Sequence, residues 1–383
     1  MSPIESTNRA AATGQSCIRT TGKGIPRETG PLHGVRVLEF AGLGPPQHAA
    51  LLLADMGADV VRIERIRGLP RSAHSTLSRG RTSIEFDLKD PADVARCWAA
   101  IGKADVLIKG YRPGVMERLG FGPQEALKAN PRLIYGRMTG WGQTGPLAMT
   151  AGHDINYIAI AGALAGMGTP GDPPPPPMNL VGDFGGGSLY LIMGVVAALY
   201  ERERSGLGQV IDAAIVDGVA SLMVPYCGLL QADARFARRE NLPLGGVAAH
   251  YRSYACADGG FISVGPLEPQ FHKELLERLD LPAELAGTPE EADALAGKFR
   301  QRTRDEWTVH FEGSDACVAP VLDLAEAQAH PHLRARETYV MHEGMMQSAP
   351  APRFSRTPGA IQSGPCTPGV GGAERLKAWG AEG

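Results

Sequence analysis

Two side chains suggest proton chemistry: His153 in Ala151-Gly152-His153-Asp154, and Asp183 in Gly182-Asp183-Phe184-Gly185. Each stands beside glycine just before an apolar stretch. An imidazole and a carboxylate on opposite faces of one carbon can take a proton from one side and return it to the other. His153 also opens a Gly-His-Asp start to a helix, where outward N–H groups stabilise negative charge developing on an oxygen. The bland readings stand beside these. A lone histidine is more often structural, Asp154 serves equally as a helix N-cap, and Asp183 could cap the helix after its glycines. Glu268, in Leu267-Glu268-Pro269, is by default a solvated carboxylate.

A basic set accompanies them: Arg65, Lys89 in Phe86-Asp87-Leu88-Lys89, and Arg112 and Arg118 after Gly110-Tyr111. In open α/β sheets, ligands bind beyond the carboxyl ends of strands. Guanidinium groups there suit phosphates and adenine, although scattered Arg and Lys are usually plain surface. The turn Gly42-Leu43-Gly44-Pro45-Pro46-Gln47 stands where a dinucleotide fingerprint would, but two prolines remove N–H donors and Gln47 replaces the third glycine. A structural turn is the better reading. No nucleophile elbow, zinc-protease motif or P-loop is present.

Apolar periodicity supplies the elements that must carry these residues. It predicts strands over 35–40, 58–64, 105–109, 133–137 and 210–215, alternating with helices over 48–56, 91–101, 155–164, 188–204 and 218–230. Such alternation predicts a Rossmann-like parallel sheet covered on both faces. The proline run 173–177 is an extended loop. Around the turn 257–260 the pattern becomes a hairpin over 251–264. Helices follow at 270–279 and 289–302, the second with Thr288 as N-cap and Pro289 as its first residue. The chain thus divides into an extension (1–30), the first part of a large Rossmann-like α/β unit (31–232), a small α+β unit (233–327) and a C-terminal return to the large unit (328–383).

The 383 residues are 43% hydrophobic and 21% charged, ordinary for a globular protein with room for two domains. A net charge of -3 gives no reason to expect nucleic acid or an anionic membrane as partner. The apolar stretch 189–200 is too short to cross a bilayer. The six cysteines show no metal-like spacing, so no metal is expected, and they read as thiols of a reducing, cytoplasmic compartment. Residues 1–30 have no secretory signal pattern; they read as a disordered extension or a transit peptide.

With His153-Asp154-Ile155-Asn156-Tyr157, Gly182-Asp183-Phe184, Tyr111-Arg112-Pro113-Gly114 and Glu268-Pro269-Gln270-Phe271 in this order, the chain resembles the class III CoA-transferase family. Within it, the chain is similar to the alpha-methylacyl-CoA racemases, from about residue 32 to 380. Asp258-Gly259-Gly260, Thr303 to Trp307 and Pro331 to Arg334 add to the likeness. The resemblance implies an interlocked homodimer, with each site between the large unit of one subunit and the small unit of the other. It implies an acyl-CoA substrate and no separate cofactor, coenzyme A being part of that substrate. Arg65, Phe86, Asp87, Leu88, Lys89, Gly110, Tyr111, Arg112 and Arg118 would hold the adenosine and phosphates. Gly152, Ile155, Asn156 and Tyr157 would line the thioester. His153 and Asp183 would be opposite-face acid/bases for 1,1-proton transfer through an enolate, with Glu268 orienting the imidazole. The rival within the family is CoA transfer between acids, with Asp154 as nucleophile. Lys109, where an acidic residue is more usual, and the proline run are departures.

Overall fold

The computed structural model describes residues 29–66 and 75–381. The expected extension therefore lies, up to residue 28, outside the described residues. The first strand, β1 (Arg36–Phe40), feeds the glycine turn and α1 (Pro45–Asp55), then β2 (Asp59–Arg65). Next come β3 (Arg81–Phe86), α2 (Pro91–Ile101), β4 (Val106–Lys109), the short helices α3 (Val115–Arg118) and α4 (Pro123–Ala129), and β5 (Ile134–Thr139). After α5 (Asp154–Ile160), a π-helical run over Leu180–Ser188 passes directly into α6 (Leu189–Ser205) and β6 (Gln209–Ala214).

All six strands pair in parallel in the order β3-β2-β1-β4-β5-β6. The order reverses between β1 and β4, the switch point beside which doubly wound sheets bind ligands. Because strand side chains alternate, each strand feeds two cores. Val37, Val60, Val106 and Ile134 join the core under α1 and α6. Leu38, Val61, Leu107 and Tyr135 join the opposite core under α2. Both faces are covered, as the apolar periodicity predicts.

The chain continues through α7 (Ile215–Leu222) and α8 (Val224–Ala232). A smaller antiparallel sheet follows, built from β7 (Arg252–Ala255), β8 (Phe261–Val264) and, after three helices, β9 (Val318–Pro320). The helices α9 (Pro269–Arg278), α10 (Glu291–Phe299) and α11 (Arg304–His310) close over it on a separate core that includes Phe299 and Trp307. Then come α12 (Leu324–Ala329), α13 (Pro331–Ala335), the hairpin β10 (Tyr339–His342) with β11 (Met345–Ser348), and α14 (Gly372–Ala378). The last of these returns to the large sheet: Leu376 and Trp379 join its core, and Trp379 Nε1 donates to Asp59 at 2.8 Å.

Several elements differ from the sequence reading. Strand β3 is unforeseen, because Arg81, Ser83 and Glu85 make one whole face of it polar and leave no apolar run. The arginine and serine are buried nonetheless, satisfied by partners from distant segments. The helix expected over 218–230 is two helices bent by 53°, with Pro225 at the break, whose nitrogen carries no hydrogen to donate to the preceding turn. Thr288 is not an N-cap: its hydroxyl donates to Leu285 O in a turn, and α10 starts later, after Glu290. The helix after His153 ends at Ile160 rather than 164, closed by Gly162 at φ 86°. Residues 180–205 make one helical run of 26 residues, longer than the 189–200 stretch and sufficient in length and composition to cross a bilayer. Its inner side is committed to the sheet, however, with Leu191, Ile192, Val195 and Ala198 buried there.

Candidate active site

The turn after β1 and the π-helical run are built against each other. Gly42 and Gly110 face each other across the switch point: a Cβ on Gly42 would lie 3.8 Å from Gly110 Cα. A Cβ on Gly110 would meet Pro46 Cγ at 2.5 Å, so the two strand ends close only because Gly110 has no side chain. Beneath the turn, Glu39 is wholly buried and paired with both Arg62 and Arg81, the latter at 2.5 Å. Arg81 also donates to Gln47 O and Arg62 to Gly42 O, which ties the turn to the sheet. Ser188 Oγ reaches Pro45 O at 3.0 Å and Asp183 O at 3.1 Å.

The Asp183 segment is helical rather than a loop, and its glycines explain why. A Cβ on Gly186 would approach Val219 N to 2.9 Å and Ile215 O to 3.1 Å, and one on Gly218 would fall 1.9 Å from Gly186 O. The run thus crosses α7 backbone against backbone. The wide π turns bring Asp183 toward the strand ends, a use typical of π-helical segments at functional sites. The carboxylate lies beneath the turn after β1, where a Cβ on Gly44 would be 3.5 Å from Asp183 Oδ2.

His153 is the N-cap of α5, and its N–H donates to Asn156 Oδ1 at 3.0 Å. Asp154, the first helical residue, is not the cap. It is buried, and its Oδ2 accepts the Asp183 N–H at 2.6 Å, while Oδ1 is enclosed with no hydrogen-bond partner. One carboxylate therefore pins the start of α5 to the Asp183 turn. Gly182 makes room for it, since a Cβ there would stand 2.4 Å from Asp154 Oδ2. Burial first, and the Asp154 charge second, raise the Asp183 carboxyl above its ordinary range; the Asn179 side chain and the His153 charge oppose this. The adjacent His153 and Asp154 thus act on Asp183, 29 residues beyond Asp154, within one chain.

A cleft of about 280 Å³ opens on His153. Gly110, Arg112, Gly152 and Tyr157 line it, together with Gly140 and Trp141 from the end of β5. Tyr157 stands edge-on to Trp141 with centroids 4.8 Å apart, and its hydroxyl donates to Gly152 O, fixing the peptide before His153. Burial, then Asp183, push its phenol up. Arg112 is exposed at the rim and donates to Met149 O at 3.4 Å. Ile155 and Asn156 are exposed on the first turn of α5.

Of the other basic-set residues, Arg65 ends β2 and bonds the half-buried Tyr111. Arg118 folds back on the turn after Arg112, its guanidinium 3.2 Å from where a Gly114 Cβ would be. Lys89 is exposed, with its N–H on Asp87 Oδ1 at 3.0 Å, and Leu88 packs on the core. Phe86 is buried beneath the Arg96 guanidinium, which leaves only its backbone for a ligand. Lys109 does not face the ligand side as a free cation: it is buried, donates to Tyr111 O at 2.8 Å, and burial lowers it to about 8. Glu268 is the N-cap of α9 in the smaller unit, where its charge acts on Cys317. It is absent from the groups acting on Asp183 and from the cleft lining.

Sequence reasoning missed His48 and Asn179. The His48 ring packs against Phe184 with centroids 4.3 Å apart and planes tilted by 33°, and burial lowers it to about 4. Asn179 caps the start of the segment that carries Asp183, four residues ahead of it, whereas His48 reaches Phe184 only through the crossing of α1 and the π-helical run.

The sequence profile described as CoA-transferase family III matches residues 32–373. The chain belongs to this family. It is 43% identical over 353 residues to alpha-methylacyl-CoA racemase of Mus musculus, covering 89% of this chain and 90% of that protein. It is 40% identical over 350 residues to the Homo sapiens protein of the same name, again 89% and 90%. Among solved structures, a CAIB/BAIF family protein from Brucella suis superposes with a TM-score of 0.78 at 24% identity, over 92% of this chain and 100% of that one. The last likeness concerns the fold: a class III CoA-transferase fold built on a six-stranded parallel sheet.

Proposed function

We propose that the protein is an isomerase that interconverts the two configurations at carbon 2 of 2-methylacyl-CoA thioesters. The observation that carries this reading is the bond from Asp183 N–H to Asp154 Oδ2. It holds two acid/bases of different type, His153 and Asp183, on adjoining segments and takes Asp154 out of play. One base removes the α-proton, the thioester becomes an enolate, and the other delivers a proton to the opposite face. Each stereoisomer uses the bases in reverse order. An α-proton is far less acidic than either base in water, so stabilising the enolate oxygen supplies most of the rate. The Asp154 and Ile155 N–H groups have no carbonyl a turn earlier within α5 and suit that oxygen. The raised Asp183 carboxyl makes it a better match for both directions of transfer.

Arg112, Arg118 and Arg65 lie where the phosphates and adenosine of the CoA part would run. Asp154 as a nucleophile is disfavoured by its burial and its commitment to Asp183. Glu268 would reach His153 from a second copy of the chain. Support comes from Leu189, Met193, Val196 and Tyr200, which form an exposed apolar stripe on α6. An active enzyme that sediments only as a monomer would remove the dimer from this proposal. The exposed thiols of Cys227 and Cys317 accord with a cytoplasmic setting.

The test is α-deuterium uptake from heavy water by a pure stereoisomer of a 2-methylacyl-CoA, with no acceptor acid. Exchange with inversion is expected. No exchange, together with CoA transfer that needs an acceptor acid, would establish the rival reaction instead.

A further inference from the structure

The smaller unit brings together three donor side chains that no reading of spacing connects. His250 precedes β7, His272 is on α9, and Glu291 is the first residue of α10. One donor atom from each lies within 4.8 Å of the others. His272 Nε2 stands 2.5 Å from Glu291 Oε1, and the His250 and His272 rings are 4.8 Å apart at 37°. We propose that His250, His272 and Glu291 form a zinc site.

Four features support it. Zinc ligand atoms in a tetrahedral shell are about 2.0–2.2 Å from the metal, which puts them roughly 3.3–3.5 Å from one another. The donor atoms here lie 2.5 Å apart for His272 and Glu291 and within 4.8 Å for the whole set, so side-chain shifts of roughly 1 Å would bring them to that spacing. Glu291 is buried, and its second oxygen accepts the Gly287 N–H at 2.8 Å, which orients the carboxylate toward the rings. His250 Nδ1 is enclosed with no hydrogen-bond partner. Two imidazoles and one carboxylate match zinc and similar borderline divalent ions rather than magnesium or calcium. Three protein ligands leave the fourth position to water.

The alternative is a His272–Glu291 ion pair holding a proton, with His250 a bystander. Untagged protein, stripped with chelator and dialysed against zinc chloride, separates the two by metal content and thermal unfolding. We expect one zinc per chain and a higher unfolding temperature with zinc. H250F and H272F should each weaken zinc binding by roughly ten-fold or more. H332A, which changes an exposed histidine, should leave it unchanged. Cobalt should give the intense visible bands of a tetrahedral site. Absence of stoichiometric zinc, or uptake equal in wild type and in both phenylalanine variants, overturns the proposal. Circular dichroism confirms that each variant is folded, and H250F keeps the test open if H272F does not fold.

Discussion

Gly186→Ala sets two well-known effects against each other at the crossing that holds Asp183. Alanine is the better helix former, and in open space the change would stabilise by about 1 kcal/mol. Here the new methyl would lie 2.7 Å from Val219 Cγ2, 2.9 Å from Val219 N and 3.1 Å from Ile215 O. Two of these contacts are backbone and cannot rotate away. Reaching ordinary separations requires the π-helical run to lift from α7 by roughly 0.5–1 Å. Overpacking of this kind costs about 1–3 kcal/mol, so we expect no net gain and a loss of up to about 2 kcal/mol. Asp183 lies three residues away and moves with the segment. A misplacement near 1 Å costs about 100-fold in rate, so deuterium exchange should fall by that order while KM changes little. Gly297, on the exposed face of α10 with nothing within 4 Å of its Cβ position, is the control. Gly297→Ala should stabilise by about 0.5–1 kcal/mol and leave exchange unchanged. If Gly186→Ala behaves like Gly297→Ala, the backbone crossing does not position the acid/base. A rate loss that merely tracks unfolding by circular dichroism refutes the positioning argument equally.

Asp183→Asn should abolish racemisation yet raise stability at neutral pH. The fold raises this carboxyl above 3.8 and so favours its protonated form; that contribution is complete below 3.8 and is lost as pH rises through the folded value. The stability difference between variant and wild type, read from urea midpoints, should therefore vanish in acid. His48 gives the opposite slope. Its folded value of about 4 lies below 6.5, so wild type should lose stability as pH falls from 6.5 towards 4. His48→Phe, which keeps the contact with Phe184, should flatten that part of the urea-midpoint profile. Arg112→Ala should raise KM for acyl-CoA roughly ten-fold or more, with a smaller change in kcat. An unchanged KM would remove Arg112 from the CoA path.

Much of this protein was legible in order of residues alone. Strands β1, β2, β4 and β5 follow from short apolar runs bounded by turns, and their parallel pairing from the helices between them. His153, Asp183 and the glycines beside them are likewise visible, because a base and its turn-forming neighbours are adjacent in the chain. What the sequence could not supply is anything that depends on two distant segments meeting. Strand β3 is polar in composition and buried in fact, because Glu39 neutralises Arg81 from two strands away. The Asp183 segment winds as a π-helix because Gly186 and Gly218 let two backbones touch. Asp154 was visible as a possible cap or nucleophile, but its bond to the Asp183 amide exists only once α5 and the π-helical run are packed. His250, His272 and Glu291 come together for the same reason. Local propensity and periodicity act over a few residues, whereas such contacts are chosen by the packing free energy of the whole chain.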